Sequence, residues 1–112
     1  MKFEGERTLM RIFLGESDRC TDGAYQGRPL YEALLLTLRE RGFSGATVVK
    51  AVAGFGASSH LHTGKILRLS SDLPVIVEVV EDEDMIRGVM PELDRMMGGG
   101  LITLEKADVY RP

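Results

Sequence analysis

Residues 54–65, Gly-Phe-Gly-Ala-Ser-Ser-His-Leu-His-Thr-Gly-Lys, gather most of the groups in this chain that could do chemistry. Glycines at Gly54 and Gly56 let backbone N–H groups come close to a bound anion, and Ser58, Ser59, His62 and Lys65 offer hydroxyls, an imidazole and a cation to hydrogen-bond it. The competing reading is a solvated surface loop that binds nothing. A second glycine cluster, Gly98, Gly99 and Gly100, exceeds what a helix stop requires and could offer amides to a phosphate.

Several sharper chemistries fail on spacing. A P-loop needs Ser or Thr after Gly-Lys, whereas Ile66 follows Lys65 and Ser59 stands where the first glycine belongs. A dinucleotide fingerprint needs a third glycine where Gly54-x-Gly56 is followed by Ser59, and a helix opening there. Ser58, Ser59 and His60 invite a nucleophile reading, but no strand-to-helix elbow frames them and no acid is placed to orient the imidazole. His60 and His62 share a face of an extended segment and are the candidate metal ligands, without a Cys or carboxylate at ligand spacing. Cys20 beside Arg19 reads as an incidental cysteine. The expectation is a binding protein and not an enzyme, with no catalytic residues and no metal site.

Composition narrows the partners. The chain has 112 residues, 44% hydrophobic and 28% charged, enough for one folded domain spanning 1–112. A net charge of −3 and only 6% aromatic residues argue against nucleic-acid binding. One cysteine excludes an internal disulfide, no apolar run reaches the length of a membrane span, and no apolar leader is visible, so the expected location is the cytoplasm.

The elements that must position these groups follow from periodicity. Residues 8–14 read as a strand and residues 30–41 as a helix, with Pro29 at its first position and Gly42 as its stop. Residues 46–53 read as a second strand, followed by the glycine loop, with residues 66–69 fitting loop or strand equally. Residues 74–80 form the strongest strand, and the acid run at 81–84 opens a second helix that Pro91 should kink or interrupt. Residues 101–110 form the last strand. Strand, helix, strand, strand, helix, strand is the split βαβ order of an α+β, ferredoxin-like fold: a four-stranded antiparallel sheet with two helices on one face. The loop at 54–65 is expected between two central strands.

Alternation sorts the strand residues into Met10, Ile12, Leu14, Val48, Val52, Ile102 and Leu104 on one side and Leu9, Phe13, Val49, Val75, Val77 and Val79 on the other. Two helices cover one face, so a monomer would expose an apolar patch and a homo-oligomer is expected. Arg11, Lys50 and Glu78 are then either exposed charges or partners across an interface.

Six short motifs occur in one order: Gly15-Glu16-Ser17-Asp18, Gly27-Arg28-Pro29-Leu30-Tyr31-Glu32, Gly45-Ala46-Thr47-Val48, Gly54-Phe55-Gly56-Ala57-Ser58-Ser59, His62-Thr63 and Leu69-Ser70-Ser71-Asp72-Leu73-Pro74-Val75. Together, over roughly residues 7–110, they resemble the uncharacterised bacterial and archaeal family called domain of unknown function 190, placed among PII-like signalling proteins. The resemblance implies a homotrimer of ferredoxin-like protomers. An adenine nucleotide or similar small effector would sit in clefts between subunits, and a loop matching residues 54–65 would signal to a target protein. It also implies a nucleotide-contacting turn at Gly98, Gly99 and Gly100, and a basic C-terminal segment containing Lys106 and Arg111. Departures are the absence of a loop tyrosine, which removes tyrosine uridylylation there, Leu101 where a phosphate-gripping lysine would follow the glycines, Gly64 before Lys65, and an insertion-like stretch at 21–26. The alternative is a metal-responsive trimer using His60 and His62, since a related trimeric family with this fold is linked to copper tolerance.

Overall fold

β1 (Lys2–Gly15) is hydrogen-bonded on both sides, to β3 (Pro74–Glu81) and to β4 (Leu101–Arg111), in a computed structural model that describes residues 1–56 and 72–112. β2 (Thr47–Lys50) pairs with β3, and the sheet runs β2-β3-β1-β4 with every neighbour antiparallel. α1 (Leu30–Glu40) and α2 (Glu83–Met96) complete the ferredoxin-like order. β1 and β2 are the parallel pair of a βαβ unit whose gap β3 fills. β2 is therefore an edge strand, and the segment after it joins an edge strand to a central one rather than two central ones. β1 also starts at Lys2 rather than residue 8, because β4 pairs with it out to Arg111. β2 is shorter than expected, and Val52 lies beyond it, exposed.

The pairing register corrects the assignment of faces. Leu14 stands opposite Val75, Ile12 opposite Val77 and Met10 opposite Val79, so the three valines lie on the helix-covered face with Met10, Ile12 and Leu14. Alternation within one strand cannot reveal this, because the phase between strands is set by pairing. Leu30, Leu34 and Leu38 of α1 and Ile86, Val89 and Leu93 of α2 close over that face, all fully or almost fully buried. The open face carries half-buried Leu9, Phe13 and Ile76 and exposed Val49, Val80 and Leu101.

Charges on the open face are matched within the chain. Arg11 Nε donates to Glu78 Oε2 at 2.8 Å and Arg11 Nη1 to Glu105 Oε1 at 2.5 Å. The hydrogen bond to Glu78, with both carboxylate charges, holds the Arg11 pKa above its ordinary value against the opposing effect of desolvation. Lys50 stands opposite Val75, on the helix-covered side of the sheet, and pairs with Glu16 at 2.8 Å.

Local signals act with two adjustments. Pro29 is the cap residue of α1 rather than its first helical residue, and the Leu30 amide is satisfied by the Asp18 carbonyl at 2.8 Å. α2 runs through Pro91 without interruption. Pro91 and Arg87 are both exposed, so the carbonyl that loses its helical partner lies on the solvent side.

Shortening Ile12, which is fully buried, should cost about 2–5 kcal/mol as Ile12→Ala and about 0.5–1.5 kcal/mol as Ile12→Val in urea unfolding.

Candidate ligand-binding site

α2 ends beside the first loop of the chain. Thr21 Oγ1 donates to the Arg95 carbonyl at 2.7 Å and the Thr21 amide to the Met96 carbonyl at 3.0 Å, satisfying carbonyls that a helix end leaves without partners. Cys20, just before it, is buried in the core, and its Sγ donates to the Asp22 carbonyl at 3.2 Å. Thr21, the first residue of the 21–26 stretch, thus supports the α2 terminus, a role that no sequence pattern signals.

Met97 is extended, and Gly98, Gly99 and Gly100 then carry the chain to Leu101, which faces Phe13 of β1. Only Gly100 is required by the chain itself. Its φ is +91°, and a Cβ there would collide with the Phe13 carbonyl oxygen. A Cβ at Gly99 would meet nothing within 4 Å, and one at Gly98 only the Thr21 methyl at 3.4 Å. Among the described residues, none of the three amides donates to a backbone carbonyl. They border an open groove of about 400 Å³ whose other walls are Met90, Asp94, Met97, Leu101 and Ile102. Three free donors beside apolar side chains suit a ligand with an anionic end and a flat apolar body.

The second candidate region starts after β2. Gly54 has φ +153° and lies against Pro74, whose Cγ would be 3.1 Å from an added Cβ, while an added Cβ at Gly56 would meet none of the described residues within 4 Å. Ser58, Ser59, His62 and Lys65, together with His60, lie outside the described residues. The ends flanking that stretch are tied to the β1–α1 loop. Ala51 donates to the Pro74 carbonyl at 2.8 Å and Glu16 to the Leu73 carbonyl at 2.9 Å. Ser17 Oγ donates to Asp72 Oδ1 at 2.6 Å, and the Gly15 amide donates to Asp18 Oδ2 at 2.9 Å. Among the described residues Glu16 Oε1 is buried without a hydrogen-bond partner, while Oε2 holds Lys50. Glu16, Ser17 and Asp72 are visible in the sequence only as parts of two family motifs. The pairing of Ser17 with Asp72 spans 55 positions of chain and no local pattern announces it.

β1 ends, β3 and β4 begin and β2 ends at the same end of the sheet. Gly54 and Gly56 nevertheless follow one edge strand while Gly98, Gly99 and Gly100 precede the other. Three strand spacings, about 14 Å, separate those edges. At that end Gly54 lies against Pro74 of β3 and Gly100 against the Phe13 carbonyl of β1. Among the described residues no group of three His, Cys, Asp or Glu side chains could hold a metal ion, and no helix is long and apolar enough to cross a membrane.

The sequence profile of the DUF190 family, described as Uncharacterized ACR, matches residues 7–109. The chain belongs to this family. A UPF0166 protein of Aquifex aeolicus is 38% identical over 104 residues, covering 93% of each chain. A UPF0166 protein of Methanocaldococcus jannaschii is 35% identical over 104 residues, covering 92% of this DUF190 chain and 91% of the relative. The fold is that of PII-like proteins. A PII-like signalling candidate of Thermus thermophilus aligns with TM-score 0.63 at 14% identity, over 97% of this chain and 93% of that one. CPII of Thiomonas intermedia, a nitrogen regulatory PII-like protein solved with ADP, AMP and bicarbonate, aligns with TM-score 0.53 at 16% identity over 96% of both chains.

The two ends of the glycine turn should respond differently to an added methyl. Gly100→Ala is expected to lose about 2 kcal/mol or more in chemical unfolding, through backbone strain and the clash with Phe13. Gly99→Ala should change stability by less than about 1 kcal/mol.

Proposed function

We propose that this protein is a PII-like regulatory binding protein, a single domain over residues 1–112 that works as a homotrimer in the cytoplasm and catalyses no reaction. Its effector is an adenine nucleotide or a similar small molecule. The observation that carries this reading is the row of amides at Gly98, Gly99 and Gly100 without backbone acceptors, set on the groove beside Met90 and Met97. Sterics within the chain demand glycine only at Gly100, so Gly98 and Gly99 keep space open for a ligand.

Subunit association is supported by two features. The open sheet face carries Leu9, Phe13, Val49, Ile76, Val80 and Leu101, an apolar surface that a partner would cover. β2 and β4 are the two edges of the sheet, so a neighbouring copy that sets its β2 edge near the β4 edge of the first places the segment after β2 beside the glycine turn. Gly54 and Gly56 then act as hinges, and Ser58, Ser59, His62 and Lys65 contact the effector or a target protein. Occupancy changes the surface offered to that target by ordering the loop. The ADP and AMP held by CPII of Thiomonas intermedia make adenine nucleotides the first effectors to test.

Light scattering should give three times the chain mass of 12.4 kDa, and a stable monomer contradicts the trimer. Calorimetric titration with ATP, ADP, AMP and cyclic AMP should show saturable binding by at least one of them. Gly99→Glu, which places a carboxylate in the groove, should weaken that binding by about tenfold or more at unchanged melting temperature. Absence of heat at millimolar ligand would falsify the nucleotide reading.

A further inference from the structure

We propose that Asp94 is the specificity-determining residue of the glycine-turn groove, accepting hydrogen bonds from the ribose diol of a nucleotide whose phosphate lies on the Gly98, Gly99 and Gly100 amides. The proposal rests on the nucleotide reading of this groove and adds which part of the ligand it recognises.

Asp94 lies on the last turn of α2 and lines the groove. Among the described residues its side chain makes no ion pair or hydrogen bond, and no Lys or Arg lines the groove. The C-terminal end of a helix carries partial negative charge, so Asp94 and the end of α2 together make this wall electronegative. Phosphate is repelled from such a wall, whereas a neutral donor is attracted to it. A carboxylate accepts through two oxygens, and a vicinal diol offers two O–H donors to match them. Asp94 lies two residues before the helix end and Gly98 two after it, and both line the same groove, so a carboxylate and the amide turn face one ligand. Met90, Met97 and Ile102 supply the apolar surface on which a base can rest. Acceptor wall, apolar wall and amide turn thus match ribose, base and phosphate in one groove.

The test is calorimetric titration of the full-length wild-type protein, Asp94→Asn and Asp94→Ala in EDTA with AMP, deoxy-AMP and inosine monophosphate. Wild type should prefer AMP over deoxy-AMP by about tenfold, the worth of one hydrogen bond to a charged group. Asp94→Ala should bring that ratio to within about twofold, and Asp94→Asn, which keeps one acceptor oxygen, should fall between. Equal binding of AMP and deoxy-AMP by wild type overturns the role of Asp94 and leaves the nucleotide reading standing. A preference for AMP over inosine monophosphate that Asp94→Ala abolishes, without a deoxy effect, assigns Asp94 to the base amine and also overturns the diol. Binding that vanishes in EDTA and returns with magnesium overturns it as well. No binding of any nucleotide, with or without magnesium, removes both readings. Asp94 is exposed, so both variants should keep the wild-type melting temperature. Should one variant fail to fold, the other decides: an AMP to deoxy-AMP ratio unchanged from wild type overturns the role of Asp94.

Discussion

β1 donates and accepts hydrogen bonds on both of its sides, and the rest of the molecule is arranged by that double pairing. Once β3 and β4 are locked to it in register, Met10, Ile12 and Leu14 must lie with Val75, Val77 and Val79 on one face, because residues opposite each other across a sheet share a side. Both helices then have one place to bury their leucine and valine stripes. The other face is left with Arg11 between Glu78 and Glu105, among apolar neighbours. The same strand fixes the site: its Phe13 carbonyl occupies the space a side chain at position 100 would need, and its last residue opens the loop that holds Asp72 through Ser17.

Sheet order turns this packing into a functional geometry. The two glycine regions arrive at one end of the sheet but along opposite edges. Under the proposed function a ligand that contacts both regions lies between copies of the chain, which couples effector binding to assembly. Placing the amide turn directly after a helix C-terminus also polarises the groove. Amides stand on one side and the carboxylate of Asp94 on another, which favours a ligand that is anionic at one end and rich in donors beyond it.

Much of the architecture is legible along the chain. The run at Pro74-Val75-Ile76-Val77 announces a strand, the stripe of Leu30, Leu34 and Leu38 announces a helix, and the ferredoxin-like order follows from the alternation of such segments. Gly98, Gly99 and Gly100 stand out before any geometry, and the structure puts a groove there. What the chain misleads about depends on long-range pairing. Alternation alone puts Val75, Val77 and Val79 on the wrong face, because a period of two leaves the phase between strands free. The start of β1 escapes it, because polar residues 2–7 become a strand only through β4. Propensity makes Pro91 a break because it ignores which side of the helix faces water. Thr21, Glu16 and Asp94 announce no role of their own; they matter through partners or neighbours distant in the chain or, for Asp94, through the groove it helps to wall.

Element order, the glycine clusters and membership of the DUF190 family are written in the chain, because they rest on local periodicity, turn chemistry and ordered motifs. Which strands are edges, which valines are core, that the Phe13 carbonyl demands glycine at Gly100 but not at Gly99, and that Asp94 walls the same groove as the amides emerge only from the folded sheet. The physical reason is that hydrogen-bond register and close packing join residues that no local pattern relates, so their geometry exists only once the sheet has formed.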